Sequence, residues 1–222
     1  MNEKHKTQHV RFDIERQARI GLAEAIMADV KSPAQISEAL RQIHYVDGKA
    51  LITRLTKEKF HGLPEQDQER LDYDPISKTA MSQRIENAVG KVEVLIVTGG
   101  TADVGVAREA ARTLAYHGVP SRELVDVGVA GLWRLMEHKE LIQSASILIV
   151  CAGMEGALFS VVGGLARGVI IAVATSNGYG VAEGGRVALN AALSSCAPGI
   201  AATNIDNGYG AACLAIRILS IK

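Results

Sequence analysis

The sequence predicts an α/β fold, a three-layer sandwich with a mainly parallel sheet in residues 91–222, preceded by a small, mostly helical module and linker in residues 1–90. Two observations support this prediction. From residue 91 onward, short apolar runs alternate with helical patterns across glycine-containing turns. Residues 1–90 are more charged, poorer in glycine and lack that alternation. Strands separated by helices of about ten residues or more need crossover connections, so they lie parallel, with helices on both faces of the sheet.

The amino-terminal module is predicted from its helix signals. Apolar residues in Phe12–Met27 recur at helical spacing and indicate an amphipathic helix. Ser32 opens a capping box with proline at the first helical position, which predicts a second helix to about His44, and Thr56 can cap a third. The polar, proline-containing segment 63–82 is interpreted as the connection between the two modules.

The second domain is predicted to contain five strands, each followed by a helix. The strands are Val92–Thr98, Ser121–Val127, Ser146–Cys151, Gly168–Ala174 and Ile200–Asn204, and Ala50–Ile52 is a further candidate in the first module. The helices are Val104–His117, Gly131–Leu141, Ala157–Leu165, Glu183–Leu193 and Gly208–Leu219. The third strand is an unbroken apolar run, which is typical of a strand covered on both faces.

Composition narrows the location and the classes of partner. Lysine plus arginine and aspartate plus glutamate each total 24, so no net charge attracts nucleic acid or an anionic membrane. The three cysteines are an odd number without Cys-x-x-Cys spacing, which favours a reducing compartment, and the cytoplasm is the expected location. Segment 1–9 has no apolar leader and the longest apolar runs are too short to span a bilayer. No cluster of His, Cys, Asp and Glu has structural zinc spacing, so no protein-bound metal is predicted.

Glu155 is the first candidate catalytic residue. It lies between Gly153 and Gly156, in the turn that follows the predicted strand Ser146–Cys151. Open α/β sheets bind ligands beyond the carboxyl ends of their strands, which favours a functional role. A carboxylate at the start of a helix is equally favoured as a cap, so capping and catalysis both stay open at this point.

Four predicted turns between a strand and the following helix are rich in glycine and small polar residues, and they should converge along one edge of the sheet. Backbone amides at helix starts, beside hydroxyls, suit a phosphate, although the first turn lacks the GxGxxG and P-loop patterns. Glycine can serve turn geometry alone, the aspartates can cap helices, and Tyr179 can stack on a ring or fill a gap between subunits. The candidate substrate-binding residues are Gly100, Thr101, Asp103, Gly153, Ser176, Gly178, Tyr179, Gly180, Asn204 and Asp206.

Cys196 is the candidate nucleophile. It lies in a loop between a helix and a strand, where an exposed thiol becomes reactive if its pKa falls, and an idle loop cysteine is the alternative. Cys151 and Cys213 are expected to pack in the core. The loop of Cys196 precedes its strand, whereas Glu155 follows one. Within one subunit the two residues therefore lie at opposite edges of the sheet, and a shared site would need a neighbouring chain.

Five stretches together resemble the LarB family, the pyridinium-3,5-biscarboxylate mononucleotide synthases of nickel-pincer cofactor assembly. They are VLIVTGGTADVGVAREAA, DVGVAGLWRL, CAGMEGALFSVVGGL, AVATSNGYG and SSCAPGIAATNIDNGYGAA. The resemblance covers the whole second domain, and the first module with its YDPISKTA tail resembles the family less distinctively. The second domain is in turn similar to the aminoimidazole ribonucleotide (AIR) carboxylases and mutases, which are octameric purine enzymes.

This resemblance implies a reaction. The pyridinium ring of nicotinic acid adenine dinucleotide is carboxylated at C5 by CO2 or bicarbonate, and its phosphoanhydride is hydrolysed to release AMP. Cys196 is implied to add to C4 of the ring and Glu155 to remove the C5 proton, with Mg2+ carried on the substrate's diphosphate. The resemblance also implies a homo-oligomer, an octamer, and the apolar helical stretches 187–193 and 210–219 suit burial between subunits.

The chain departs from the family pattern at four positions. Alanine stands at 102 where serine is usual, tryptophan at 133 for histidine, alanine at 174 for proline, and asparagine at 177 for a small apolar residue. Ala102 and Asn177 fall in ligand loops and so bear on phosphate affinity and on the choice of dinucleotide. Two alternatives stay open. A purine-pathway mutase relies on a histidine in the loop after the third strand, and that loop has none here, while a non-catalytic nucleotide-binding module would need only the glycine turns.

Overall fold

The structure, a computed structural model, describes residues 10–46, 48–82 and 90–221, and it divides into two compact units, Met1–Ile85 and Glu86–Lys222. The polar segment 1–9 and segment 83–89, which precedes the predicted start of the second domain at residue 91, lie outside the described residues. Within the described ranges, no helix is long and apolar enough to cross a membrane.

In its described part, the amino-terminal unit combines four helices with a four-stranded sheet. The helices are α1 (Arg16–Ile20), α2 (Pro33–His44), α3 (Lys57–His61) and α4 (Glu65–Glu69), and the strands are β1 (Ile26–Met27), β2 (Leu51–Thr53), β3 (Asp72–Asp74) and β4 (Thr79–Met81). The strand order is β1-β2-β4-β3, with β1 parallel to β2 and the other pairs antiparallel. The sequence predicted α2, α3 and only one of these strands.

Helix α2 begins with its predicted capping box. The Ser32 hydroxyl accepts a hydrogen bond from the amide of Gln35 (3.3 Å), and the Gln35 side chain accepts one from the amide of Ser32 (2.9 Å). Thr56 caps α3 by accepting from the amide of Lys59 (3.3 Å). One face of α2 then packs into the core of the unit through Ile36, Ala39, Leu40 and Ile43.

The structure corrects two predictions for this unit. Phe12–Met27 is not one helix, because α1 ends at Gly21 in a left-handed conformation (φ 75°) and the chain then extends into β1. Segment 63–82 is not a bare connection, because it contains α4 and the hairpin of β3 and β4. Its polar residues are satisfied locally, since Ser77 donates from its amide (3.3 Å) and its hydroxyl (2.6 Å) to the carboxylate of Asp74.

The second unit is built on five strands and six helices in its described part. The strands are β5 (Val94–Thr98), β6 (Ser121–Leu124), β7 (Ile147–Ala152), β8 (Val169–Ala174) and β9 (Ile200–Thr203). The helices are α5 (Val104–Tyr116), α6 (Leu132–Met136), α7 (Lys139–Ser144), α8 (Ala157–Leu165), α9 (Arg186–Leu193) and α10 (Gly208–Leu219). All strand pairs are parallel, in the order β6-β5-β7-β8-β9. The predicted α/β fold is therefore confirmed.

Helices cover both faces of this sheet and make the three layers. On one face, α6 to α9 pack against alternate strand residues such as Val150, with Phe159 and Val162 of α8 fully buried. On the other face, α5 and α10 pack through small side chains: Ala107, Ala110, Ala211, Ala212 and Ala215. The strands are held from both sides, so the turns at their carboxyl ends start from fixed positions.

Most predicted elements of the second unit have a bound that differs from the observed one by one to three residues, and two of the differences change the description of an element. Strand β6 ends at Leu124 rather than at Val127, because Asp126 takes a left-handed conformation (φ 62°). The predicted helix Gly131–Leu141 is divided into α6 and α7, because His138 leaves helical geometry between them (φ −108°, ψ 17°). Because β6 ends at Leu124, the turn that follows it begins at residues that were predicted to belong to the strand.

Candidate active site

A cleft of about 400 Å³ opens at the carboxyl edge of the second unit's sheet. It is lined by the turns after β5, β6, β7 and β8, as expected for a parallel α/β sheet. The predicted site residues Gly100, Asp103, Gly153 and Glu155 line it, together with Ala102 and Asn177.

The turn after β7 places Glu155 in this cleft. A Cβ at Gly153 would collide with the carbonyl oxygen of Asn177, so only glycine allows the two backbones to pass this closely. The amide of Met154 donates to the same carbonyl (3.2 Å), and Met154 itself is held in a left-handed conformation (φ 52°). Such a conformation is uncommon for a residue with a side chain and persists where the surroundings impose it. The direction of the chain at Glu155 is thus set by its neighbours.

Glu155 does not cap α8. That helix has Gly156 as its N-cap residue, and no side chain accepts a hydrogen bond there. The side chain of Glu155 is exposed, and no described residue hydrogen-bonds to or pairs with its carboxylate. The capping alternative is therefore removed, and the carboxylate is available to a ligand in the cleft.

Asp103 is buried and joins two turns of the cleft. Its Oδ2 accepts from the amide of Gly100 (2.8 Å), and its Oδ1 accepts from the hydroxyl of Thr175 (2.6 Å) and from Nδ2 of Asn177 (3.2 Å). It makes no side-chain cap to α5, contrary to the alternative that the sequence raised. Hydrogen bonds to a buried carboxylate are strong, so Asp103 fixes the turns after β5 and β8 to each other.

Asn177 is the point where three turns of the cleft meet. Its Nδ2 donates to the carbonyl of Ala102 (2.8 Å) and to Asp103, and its own carbonyl accepts from Met154. Two of the four positions at which the chain departs from the family pattern, 102 and 177, are therefore in direct contact. They are far apart in the sequence, so the sequence alone could not relate them.

Arg134 is a cleft residue that the sequence analysis missed. It lies on α6, and its Nη1 donates to Oδ2 of Asp126 (2.5 Å), whose amide donates to the hydroxyl of buried Thr98 (3.0 Å). A guanidinium has five donors in a planar fork, which suits a phosphate or carboxylate. The available signal was the pair Gly128 and Gly131, which marks a turn after β6, but the strand was predicted to run into that turn.

The remaining predicted ligand residues do not line the cleft: Thr101, Ser176, Gly178, Tyr179, Gly180, Asn204 and Asp206. Asp206 accepts a hydrogen bond from the amide of Ser176 (2.8 Å) and ties the turns after β8 and β9 together. It does not cap α10, where Asn207 accepts from Gly210 (2.8 Å). The side chain of Tyr179 is 78% exposed. The ligand roles of these residues stay predictions.

Cys196 is exposed but does not line the cleft that contains Glu155. Its loop precedes β9 and packs on α8, where Ala197 faces Gly163. The loop contacts α8 at Ser160 and Gly163, which at about 1.5 Å per residue lie about 5 to 9 Å beyond the first residue of the helix, whereas Glu155 lies in the turn before it. One subunit therefore holds the two predicted catalytic residues apart, and the shared site between subunits stays a prediction.

The other two cysteines are unsuited to nucleophilic chemistry. Cys151 is fully buried at the end of β7, and burial raises the pKa of its thiol well above the ordinary value. Cys213 is half-buried in α10, and burial raises the pKa of that thiol as well. Both thiols are neutral at physiological pH, as expected for packing residues.

The described residues offer no protein site for a metal ion. They contain no group of three His, Cys, Asp or Glu side chains that could hold one. In the cleft, the carboxylate of Asp103 is occupied by three protein donors. The protein alone therefore supplies too few donors for a resident cation, and Mg2+ at this cleft would be held mainly by the phosphates of a ligand, with Glu155 the lining carboxylate that no described residue engages.

Comparisons with known proteins match both parts of the chain. Residues 4–84 match the family model of the LarB/PurE-like N-terminal domain, and residues 93–222 match that of AIR carboxylase. The uncharacterized protein MJ0165 of Methanocaldococcus jannaschii is 37% identical over 225 residues, which cover 96% of this chain and 85% of that protein. The crystal structure of a PurE2 variant from Treponema denticola has a TM-score of 0.48 and 22% identity, over 58% of this chain and 79% of that chain.

Proposed function

Because this chain belongs to the LarB family, with a LarB/PurE-like N-terminal domain and an AIR carboxylase domain in tandem, we propose that it carboxylates a pyridinium nucleotide. The substrate is nicotinic acid adenine dinucleotide, carboxylated at C5 of the ring by CO2 or bicarbonate. Hydrolysis of the phosphoanhydride then gives pyridinium-3,5-biscarboxylic acid mononucleotide and AMP, for nickel-pincer cofactor biosynthesis. A carboxylase or mutase is the class that the family indicates, and the pyridinium substrate and the hydrolytic step are the proposal.

One observation carries the assignment of the cleft: an exposed carboxylate without a protein partner, Glu155, at the start of α8 and in the same cleft as the guanidinium of Arg134. A carboxylate that neither caps nor pairs contributes little to the fold. It is suited to accept a proton from a bound ring. The guanidinium supplies positive charge for the phosphate or carboxylate of the substrate.

The reaction needs a nucleophile because C5 of a pyridinium is electron-poor. The thiolate of Cys196 adds to C4, an S–C4 bond forms, and an electron pair moves onto the ring nitrogen, which leaves an enamine. C5 then attacks the carbon of CO2, and the new carboxylate takes the electrons of one C–O π bond. Glu155 removes the C5 proton and restores the enamine, whose electrons expel the thiolate from C4 and rebuild the aromatic ring.

The separation of Glu155 and Cys196 within one chain supports a site shared between subunits. The Cys196 loop rests on the side of α8 at Ser160 and Gly163 and does not line the cleft, whereas Glu155 lies in the turn before the helix and does line it. We therefore assign Cys196 to the cleft of a neighbouring subunit in a closed homo-oligomer, an octamer. Exposed apolar side chains on the helices and loops of the second unit, such as Leu193, Val181 and Trp133, suit burial in such an assembly.

The two alternatives differ from this proposal in what the cleft must contain. A purine-pathway mutase would use a histidine, and no histidine is among the described residues that line the cleft. A non-catalytic nucleotide-binding module would bind the dinucleotide and release it unchanged. It would leave the accessible thiol of Cys196 and the carboxylate of Glu155 without a role.

The proposal is tested by incubating the full chain with nicotinic acid adenine dinucleotide, 13C-bicarbonate and Mg2+, followed by mass analysis. We expect AMP and a dicarboxylated mononucleotide that carries the label in its new carboxyl group. Cys196→Ala is the matched blank. If the dinucleotide binds tightly but no labelled product forms even with a large molar excess of substrate over enzyme, the non-catalytic module is favoured. Turnover of a purine ribonucleotide would favour the mutase.

A further inference from the structure

The loop that carries Cys196 is attached on both sides of the thiol. The hydroxyl of Ser195 accepts a hydrogen bond from the amide of Ala197 (3.2 Å), so a short ring of contacts closes around Cys196. The hydroxyl of Ser194 donates to the carbonyl of Asn190 in α9 (2.6 Å). The loop backbone is thus fixed, while the Cys196 side chain itself is exposed.

Helix α8 provides the surface on which this loop rests. The hydroxyl of Ser160 lies 2.7 Å from that of Ser195 and joins the loop to the helix. Three residues further along the helix, a Cβ at Gly163 would lie only 2.6 Å from the Cβ of Ala197. The missing side chain at 163 therefore lets the loop approach α8. A Cβ at the adjacent Gly164 would meet nothing within 4 Å.

We propose that Ser160, Ser195 and Gly163 are positioning residues that set where the Cys196 sulfur is presented. They determine where the thiolate lies when it approaches C4 of the ring, so this inference rests on the proposed function. Helix α8 carries the Cys196 loop on its side and the Glu155 turn at its start. One rigid element therefore fixes how far the nucleophile of each subunit stands from its own carboxylate.

Position matters because addition requires the sulfur to lie about 3 to 3.5 Å from the ring carbon, and a misplacement of about 1 Å can reduce the rate by about 10²-fold. The cleft proposed to bind the nucleotide is lined by the first two residues of α8, Ala157 and Leu158, and not by the Cys196 loop. Displacement of the loop should therefore lower kcat about 10- to 100-fold and leave KM within about twofold.

Adjacent glycines provide the test. Gly163→Ala forces the loop away from α8, whereas Gly164→Ala makes the same change in the same helix without a new contact. Both substitutions favour the helical conformation, so neither is expected to unfold the protein. The double variant Gly163→Ala/Ala197→Gly removes the clashing methyl and should recover most of the lost kcat. Equal kcat for both alanine variants, or no recovery in the double variant, would overturn the proposal.

A second readout does not depend on the proposed reaction. Hydrogen–deuterium exchange in the peptide over residues 194–200 should quicken in Gly163→Ala and in Ser160→Ala, stay at the parent rate in Gly164→Ala, and return towards it in the double variant. If the parent makes no product, the proposed function fails while the exchange rates still decide whether the loop is held on α8. If product forms and exchange is the same in all variants, the positioning role fails and the proposed function stands.

Discussion

The turn that carries Glu155 leads into α8, whereas the loop that carries Cys196 rests on the side of that helix, and the two are held by different means. The Glu155 turn is fixed through backbone contacts, with Met154 bonded to Asn177, and lies in the cleft. The Cys196 loop is fixed through the hydroxyls of Ser160 and Ser195 and lies outside the cleft. Each region holds an exposed side chain that we propose to be catalytic. The two regions lie in different places on one chain, which is the basis of our proposal that a second copy completes the site.

Removal of the thiol should give the largest effect. Cys196→Ala deletes the only group in the proposal that can add to C4, so turnover should fall at least about 10³-fold, with binding of the dinucleotide retained within a few-fold. Mass analysis of the product measures the loss of turnover, and calorimetry measures whether binding of the dinucleotide is retained. Cys213→Ala is the matched control and should keep the parent rate. Comparable activity in Cys196→Ala would mean that the loop has no part in the chemistry.

Replacement of the carboxylate should come next. Glu155→Gln removes the proton acceptor, and general base catalysis contributes about 10²- to 10⁴-fold, so turnover should fall by that factor. The fold should be unchanged because Glu155 makes no cap or ion pair with the described residues. Initial rates and thermal unfolding of the variant and the parent are the measurements. Parent-like turnover in the Gln variant would exclude the base assignment.

The two aspartates that join turns should differ in their effect on stability. Asp103→Asn replaces one of two buried acceptor oxygens with an amide donor, which faces either the amide of Gly100 or Nδ2 of Asn177 and should lower the free energy of unfolding by about 1 to 3 kcal/mol. Asp206→Asn keeps an acceptor for Ser176 at a less buried position and should cost less than about 0.5 kcal/mol. Urea denaturation measures both. Similar losses would show that burial of Asp103 does not strengthen its turn.

The three thiols should react with iodoacetamide in an order set by exposure and pKa. Cys196 should be alkylated first, Cys213 more slowly because burial raises its pKa, and Cys151 only after unfolding. The dinucleotide should protect Cys196 and leave Cys213 unaffected. Peptide mass analysis over time gives the order. Protection of Cys213 rather than Cys196 would place the ligand elsewhere.

Local sequence patterns were sufficient to predict the sheet and to place Glu155 in the turn after a strand. They were insufficient to predict the contacts between turns. The apolar runs and the helical spacing gave α8 and α10 with their observed bounds, because both patterns are set by neighbouring residues. Arg134 was missed because a left-handed aspartate ended β6 early, and the sequence does not reveal that conformation at Asp126. The role of Asn177 depends on residues about 75 positions away, which no periodicity reports.

In the amino-terminal unit, the sequence predicted the starts of two helices correctly but missed most of the strands. Its helix caps were readable because each lies within four residues, as at Ser32 and Thr56. Its strands are two or three residues long, which is too short to show an alternation of apolar and polar residues. The β3–β4 hairpin was not predicted because its sequence is polar, and its polar side chains form hydrogen bonds with each other. Short strands and internally satisfied polar turns are therefore where sequence interpretation failed in this protein.

Subunit mixing tests the central claim most directly. Cys196→Ala and Glu155→Gln homo-oligomers, each inactive alone, are combined in equal amounts under conditions that exchange subunits, with exchange verified by native mass spectrometry. If Cys196 of one chain serves the cleft of another, about a quarter of the sites receive both native groups, and activity should return to about a quarter of the parent value. Confirmed exchange with no return of activity would contradict the shared site and require each chain to complete its own.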